Sequence, residues 1–83
     1  MTRYTYTVLL VPEPDAGGYS VEVPALPGCV TQGDTIEEAL AMAQNAVSMW
    51  LRDMTAEGEP IPVERVVPRL MSIEVDAPQL VGA

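Results

Sequence analysis

The fold is decided by one central stretch of the sequence, GYSVEVPALPGCVTQGDTIEEA, which covers residues 18–39. Its first part, Tyr19–Val23, alternates apolar and polar residues, which predicts a β-strand with one solvent-facing side. A turn rich in proline and glycine follows over Pro24–Gly28, and Cys29–Gln32 then predicts a further short strand. The stretch therefore predicts two strands that are joined by a turn and lead into a helix.

The start of the helix is specified by side chains at its first turn. Thr35 precedes Glu38 by three residues, which is the capping-box pattern. Asp34 and Glu37 add negative charge at the positive end of the helix dipole. We therefore expect the helix to begin at Ile36.

The body of the helix follows from the spacing of its apolar residues. They fall on one stripe at about 100° per residue. These residues are Ala39, Leu40, Ala43, Val47, Trp50, Leu51 and Met54. Gly58 suits the position after a last helical turn and Pro60 cannot continue a helix, so the helix is predicted to end near Ala56 or Glu57.

Two further segments complete the predicted sheet. Tyr4–Val11 is rich in aromatic and β-branched residues and predicts a first strand, which the turn residues of Pro12–Gly18 connect to the next one. Arg69–Val75 alternates more weakly and predicts a last strand at the sheet edge. This order predicts an α+β fold, namely a two-layer β-β-β-α-β unit whose antiparallel sheet carries one long helix on one face.

The length and composition are those of one small domain. The chain has 83 residues, of which 48% are hydrophobic, and this supports a single core. We expect the domain to cover residues 1–76 and residues 77–83 to form a flexible tail. The sequence shows neither an apolar run of about 20 residues nor a basic leader. Cys29 is the one cysteine, so we expect a cytoplasmic protein without an intramolecular disulfide.

The charge of the chain is strongly negative. Twelve carboxylates and four arginines give a formal net charge of -8. The arginines are scattered among acidic residues and do not form the positive cluster that binds phosphates, so we expect no direct nucleic-acid binding. An acidic surface would attract a basic protein. Such charge also keeps a small domain soluble, so composition leaves both roles open.

The residue types restrict the chemistry that this chain could perform. Histidine is absent, which excludes a Ser-His-Asp or Cys-His arrangement. With one cysteine, a zinc site would have to depend mainly on carboxylates, which is not how zinc sites are normally built. We expect no catalytic residue, no cofactor-binding residue and no metal ligand.

Three small features have both a functional and a structural interpretation. The acidic group Asp34, Glu37 and Glu38 could hold a hard cation such as Mg²⁺, but helix capping accounts for all three. Cys29 has no obvious basic neighbour to stabilise a thiolate, which favours a small buried packing residue over a reactive thiol. Gly17–Gly18 lacks the helix start and lysine of a phosphate-binding loop and is interpreted as a hairpin turn.

Two surface features could serve a partner protein. Met42 and Met49 lie seven residues apart on the flank of the apolar stripe, where they form either peripheral core, which we favour, or a flexible contact surface. The sheet face opposite the helix is a candidate for self-association. That face carries Thr5, Thr7, Leu9 and Val11.

The central stretch resembles the HicB-like antitoxin family. The shared features are a Gly-Tyr strand (Gly18–Val23), a Pro-x-Leu-Pro-Gly-Cys turn (Pro24–Cys29), a Gly-Asp-Thr helix start (Gly33–Thr35) and a Glu-Glu-Ala first turn (Glu37–Ala39). Gly58–Pro62 also resembles the segment that follows the helix in such proteins, so the similarity covers roughly residues 3–62.

The resemblance implies both a fold and a function. The fold is a β-β-β-α-β domain similar to a partly reduced ribonuclease H fold, and the function is to bind and mask a small basic RNA-cleaving toxin of the HicA type. No catalytic residues carry over. Many members add a DNA-binding domain, but the residues after Pro62 are too few and too acidic for one, so we expect no direct promoter binding.

Two other functions compete with this expectation. One is an orphan module that forms a homo-oligomer, a dimer or tetramer, and binds another protein or a small ligand instead of a toxin. The other is a residual nuclease, which rests on analogy with the ribonuclease H fold alone. The missing set of metal-binding carboxylates argues against the nuclease.

Overall fold

The computed structural model describes residues 2–79 and contains a three-stranded sheet and a long helix. The elements are β1 (Leu9–Pro12), β2 (Tyr19–Glu22), β3 (Val30–Gly33) and α1 (Ile36–Ala56). Both strand pairs are antiparallel and the sheet order is β1-β2-β3. The α1 helix packs on one face of this sheet through Ala39 and Ala43. The predicted α+β fold is confirmed.

The first two strands form a hairpin that is shorter than the sequence predicts. The amide of Glu13 donates to the Gly18 carbonyl at 2.9 Å, and both Gly17 and Gly18 have positive φ, which confirms the predicted turn. The hydrogen-bonded ladder between β1 and β2 begins only at Leu9, whereas the predicted first strand begins at Tyr4. Just beyond the Leu9–Glu22 pair, the partner strand turns away from β1 at Pro24, which also lacks an amide hydrogen.

The core consists of two small clusters between the sheet and the helix. Val21 packs with Ala39 and Ala43, which confirms the side of β2 that the alternation assigned to the interior. The second cluster joins Val23, Leu26 and Cys29. Two small alanines in the helix let its backbone approach β2 and β3 closely, so the core is thin at this end.

Gly33 is the point of closest approach between β3 and α1. A Cβ atom added at Gly33 would lie 2.4 Å from the backbone nitrogen of Ala39 and 2.5 Å from its Cα. Real Cβ atoms do not approach backbone atoms so closely, and Ala39 is fully buried. The glycine of the Gly-Asp-Thr segment is therefore required by packing.

The helix start matches the predicted capping pattern. The Thr35 hydroxyl accepts a hydrogen bond from the Glu38 amide at 3.1 Å, and the Glu37 and Glu38 side chains lie in the first turn. The hydroxyl half of the capping box is therefore formed, and Glu37 and Glu38 lie where the helix dipole favours negative charge. The far end is close to the prediction, with Glu57 as the C-cap and Gly58 at φ 76°.

We expect Thr35→Ala to lower the free energy of unfolding by about 1 kcal/mol, because it removes the acceptor for a first-turn amide. Urea denaturation followed by circular dichroism measures this change. Thr55→Ala is the matched control: the Thr55 hydroxyl donates to the Leu51 carbonyl inside the helix, a bond that contributes little to helix stability. Equal losses in the two variants would contradict the capping role.

The predicted last strand is not formed within the single chain. Residues 59–79 contain no strand, so the prediction over Arg69–Val75 is wrong for an isolated protomer. The weak alternation of this segment finds no neighbouring strand among the described residues. We call residues 66–75 the C-terminal arm. Of the predicted tail over residues 77–83, residues 80–83 lie outside the described residues.

The arm makes the molecule elongated. The principal extents of the molecule are 62 × 27 × 19 Å and its radius of gyration is 17.4 Å. A compact chain of this length has a radius of gyration of about 12 Å. Among residues 2–79, no helix combines the length and the apolarity needed to cross a membrane.

Candidate protein-binding surfaces

The Pro24–Cys29 turn is a compact loop that closes one end of the core. The Leu26 amide donates to the Val23 carbonyl and the Cys29 amide donates to the Leu26 carbonyl, each at 2.9 Å. These bonds turn the Leu26 side chain inward, where it is 2% exposed. Gly28 has a φ of 93°, and a Cβ atom there would touch the Trp50 ring at 3.4 Å. The Trp50 ring therefore packs against this turn.

Cys29 belongs to this packed loop. The thiol is free and buried, and burial raises its pKa. A protonated, buried thiol is a poor nucleophile. The interpretation of Cys29 as a small packing residue is confirmed.

An acidic groove lies where this turn meets the end of α1. Its volume is about 430 Å³. Its floor is apolar, from Leu26, Trp50 and Met54, and its rim carries three carboxylates. The full lining is Ala25, Leu26, Pro27, Trp50, Asp53, Met54, Glu57, Glu59 and Pro62. Such a surface suits a partner segment that carries both cationic and apolar side chains.

The helix places the groove residues on one side by their spacing. Trp50, Asp53, Met54 and Glu57 recur at intervals of three, one and three residues, which puts them on one face of the last turns. Sequence reasoning assigned Trp50 and Met54 to the core stripe and did not single out Asp53 or Glu57. The signal that was missed is the pair of acids at helical spacing beside that stripe.

A second, uncharged groove lies on the helix side of the segment that leads into β1. We call it the edge groove, and its volume is about 410 Å³. The N-terminal segment before β1 forms one wall and the middle of α1 forms the other. It is lined by Thr2, Tyr4, Tyr6, Val8, Leu40, Ala43, Gln44, Val47, Ser48 and Leu51. Leu40, which belongs to the predicted core stripe, is 46% exposed here.

The segment after the helix is held beside the N-terminal segment by three hydrogen bonds. The Tyr6 hydroxyl donates to the Pro62 carbonyl at 2.5 Å. The amide and hydroxyl of Thr7 donate to the two oxygens of the Glu64 carboxylate at 2.8 and 2.7 Å. Burial, and to a lesser extent nearby Tyr4 and Glu64, raise the pKa of Tyr6, so its hydroxyl keeps the proton it donates. Nothing in the sequence pattern predicts these contacts, which join residues more than 55 positions apart.

The two methionines are surface residues. Met42 is 42% exposed and Met49 is 61% exposed, so the favoured interpretation as peripheral core is wrong, most clearly for Met49. They leave the core because the small residues Ala39 and Ala43 make the closest contacts with the sheet. The open sheet face also presents apolar side chains, with Val11 44% and Val30 64% exposed.

The structure gathers no candidate metal centre from these residues. Within residues 2–79, no group of three or more histidine, cysteine, aspartate or glutamate side chains is placed to hold a metal ion.

Comparison with known proteins identifies a family match over most of the chain. The family model described as HicB-like antitoxin of bacterial toxin-antitoxin system matches residues 6–78. A UPF0150 protein of Synechocystis is 43% identical over 72 residues, which are 87% of this chain and 90% of that protein. A UPF0150 protein of Thermoplasma acidophilum is 44% identical over 57 residues, which are 69% and 81% of the two chains.

One similar protein carries a functional name. The protein named Antitoxin HicB 1 of Photorhabdus laumondii is 43% identical over 61 residues. These residues are 74% of this chain but 37% of that protein, so the similarity covers about a third of the larger relative.

Proposed function

This chain belongs to the HicB-like antitoxin family, and on that premise we propose that it binds and masks a small basic RNA-cleaving toxin of the HicA type. Because such a toxin would act on RNA, we place the encounter in the cytoplasm. The organisation as one domain over residues 1–76 stays a prediction.

The observation that carries the proposal is the acidic groove. Asp53, Glu57 and Glu59 surround an apolar floor formed partly by Trp50 and Met54. A cationic side chain of the toxin would meet the carboxylates while a neighbouring apolar group packs on the floor. Tryptophan in a partly buried position is a common anchor of protein interfaces.

The overall charge supports the same partner. At a net charge of -8, the chain attracts a basic protein over a distance and speeds its association. Contacts in the groove would then set the lifetime of the complex, because close charge pairs and apolar anchors act mainly on dissociation. Two effects are therefore distinct. Every carboxylate contributes to the general attraction, whereas only the groove residues make the local contact.

Variants that remove the same charge inside and outside the groove distinguish these two effects. The chain is co-expressed with the small basic protein encoded next to its gene, and the dissociation constant of the purified complex is measured. The groove variant Asp53→Asn/Glu57→Gln/Glu59→Gln is expected to bind at least about tenfold more weakly. The matched control Glu13→Gln/Asp15→Asn/Glu22→Gln removes the same three charges at exposed positions of the β1-β2 hairpin and should change binding less than about threefold.

Two results would contradict the proposal. Equal weakening by the two triple variants would show that only the net charge matters and that the acidic groove is not the contact. Free migration of the two wild-type proteins would remove the toxin partner altogether.

We further propose that the chain is a stoichiometric binder and not an enzyme, and that it does not bind nucleic acid directly. The absence of histidine and the excess of carboxylates over arginines support both statements. Sustained cleavage of RNA by the purified chain would contradict the first, and salt-sensitive binding to duplex DNA the second.

A second candidate function is a homo-oligomeric module, a dimer or tetramer, with another protein or ligand partner in place of a toxin. The apolar C-terminal arm favours self-association, because Leu70, Met71 and Ile73 are each more than 80% exposed in the single chain. The two candidates differ in the gene neighbour, since only the first requires an adjacent frame for a small basic protein.

A further inference from the structure

We propose that the C-terminal arm of one copy of this chain adds a strand to the β1 edge of a second copy and fills the edge groove there, and that the exchange is reciprocal. This inference does not depend on a toxin. It assigns a position to the strand that the sequence predicts over Arg69–Val75 and that the single chain does not form.

The arm has the pattern of a strand with one buried face. Met71, Ile73 and Val75 lie on one side of an extended chain, and Ser72 and Glu74 lie on the other. In the single chain, the three apolar residues are 82%, 84% and 77% exposed. A contiguous row of exposed apolar side chains in a small protein marks an interaction surface.

The root of the arm is fixed, which sets where the arm goes. Pro62 and Glu64 are bonded to Tyr6 and Thr7, in the segment that leads into β1. Beyond this point the apolar side chains of the arm are exposed, and the molecule as a whole has a 62 Å long axis. The arm therefore leaves the groove of its own protomer uncovered, and its apolar side chains are free to contact a second copy.

The β1 edge offers the backbone groups that an added strand needs. Because Glu13 and Gly18 are a hydrogen-bonded pair, residues 9 and 11 also direct their amides and carbonyls towards β2. The backbone groups of Leu10, and by the same alternation those of Val8, therefore point to the outer edge. Within residues 2–79, β1 has no strand on that side. Edge strands of this kind accept a further strand through main-chain hydrogen bonds.

The edge groove offers the matching side-chain surface. It lies between the segment that leads into β1 and the middle of α1, so the inward face of a strand added beside Val8 and Leu10 would rest on Leu40, Ala43 and Val47. None of the ten lining residues is charged. Met71, Ile73 and Val75 are apolar and fit this surface, while Ser72 and Glu74 would face solvent.

Size and charge favour a second copy as the occupant. The ten residues of the arm and the ten that line the groove give 20 contact residues per protomer, at the lower end of the about 20–30 that a stable interface uses on each side. The arm holds one arginine, Arg69, and one carboxylate, Glu74, so it is neutral and can dock on a copy of net charge -8 without repulsion from its own charge. A reciprocal exchange also closes on itself as a twofold dimer, which leaves no arm uncovered.

The test uses one variant for each half of the contact. Size-exclusion chromatography with light scattering is expected to give an even multiple of the 8.9 kDa protomer mass for the wild type. Ile73→Asp on the arm and Leu40→Arg in the groove should each reduce the mass to that of one protomer. Ser72→Asp places the same charge on the other side of the arm and should leave the oligomer intact. Circular dichroism checks that each variant keeps its fold, which we expect because Ile73 is exposed in the protomer.

A mixture of the two monomeric variants separates strand exchange from other modes of association. The intact arm of Leu40→Arg can enter the intact groove of Ile73→Asp, so the mixture should form a dimer although neither variant does so alone. A mixture that stays monomeric would overturn the proposal. A wild-type chain that is monomeric across a wide concentration range would also overturn it. So would an arm that stays exposed in the free chain and becomes buried only in the complex with the basic partner.

Discussion

Gly33→Ala is expected to destabilise the protein by at least about 3 kcal/mol, because it forces a methyl group into the backbone of the first helical turn. The added Cβ would lie 2.4 Å from the Ala39 nitrogen and 2.9 Å from the Glu38 carbonyl carbon. Neither atom belongs to a flexible side chain that could move away. The helix must therefore shift from β3, and the contact between Val21 and Ala39 is lost with it.

Gly17→Ala is the control for this substitution. Gly17 has a φ of 77°, but no atom lies within 4 Å of an added Cβ. The loss there is limited to the strain of a left-handed backbone, about 1–2 kcal/mol. Urea denaturation of both variants measures the difference, and a loss in Gly33→Ala no larger than that in Gly17→Ala would contradict the packing argument.

Leu26→Ala is expected to lower the free energy of unfolding by about 2–5 kcal/mol, because it leaves a cavity in the second core cluster, here called the turn cluster (Val23, Leu26 and Cys29). Leu26 is among the most buried side chains of the structure and packs with Val23 and Cys29. The variant should also expose the Cys29 thiol, so its alkylation rate under native conditions should rise. This second readout distinguishes a loosened turn from a general loss of stability.

Met49→Ala is the control for the truncation at Leu26. Met49 is 61% exposed, so removing its side chain takes away little buried area. We expect a change within about 0.5 kcal/mol and an unchanged alkylation rate for Cys29. A comparable loss in the two variants would mean that the turn cluster contributes no more than the surface of the helix.

Local patterns in the sequence were sufficient to predict most of the fold. The strict alternation over Tyr19–Val23 identified the buried side of β2, and the Thr35–Glu38 spacing identified the helix start to the residue. Both features depend on neighbours along the chain, which a sequence displays directly. The start of β1 was less predictable, because the ladder length depends on where the partner strand turns away at Pro24.

The last strand shows where local patterns are insufficient. Alternation over Arg69–Val75 indicates a strand, but a strand forms only against a neighbour, and within residues 2–79 no strand pairs with this segment. The sequence did not predict the candidate surfaces either, because they join residues from different segments of the chain. Asp53 and Glu59 come together beside Trp50 because the chain reverses at Gly58 and the Glu59 amide donates to the Met54 carbonyl, and the groove is complete only with Leu26 and Pro27 of the distant turn. The bonds between Thr7 and Glu64 join distant segments and leave no pattern in either.

The position of Trp50 gives this protein an optical reporter for one of its two grooves. It is the chain's single tryptophan, and it lies in the acidic groove against Gly28 and not in the lining of the edge groove. A ligand seated in the acidic groove would therefore shift the intrinsic fluorescence emission of the indole ring. Docking of an arm in the edge groove would instead act on Tyr4 and Tyr6, so a shift of the indole emission on addition of a ligand indicates the acidic groove.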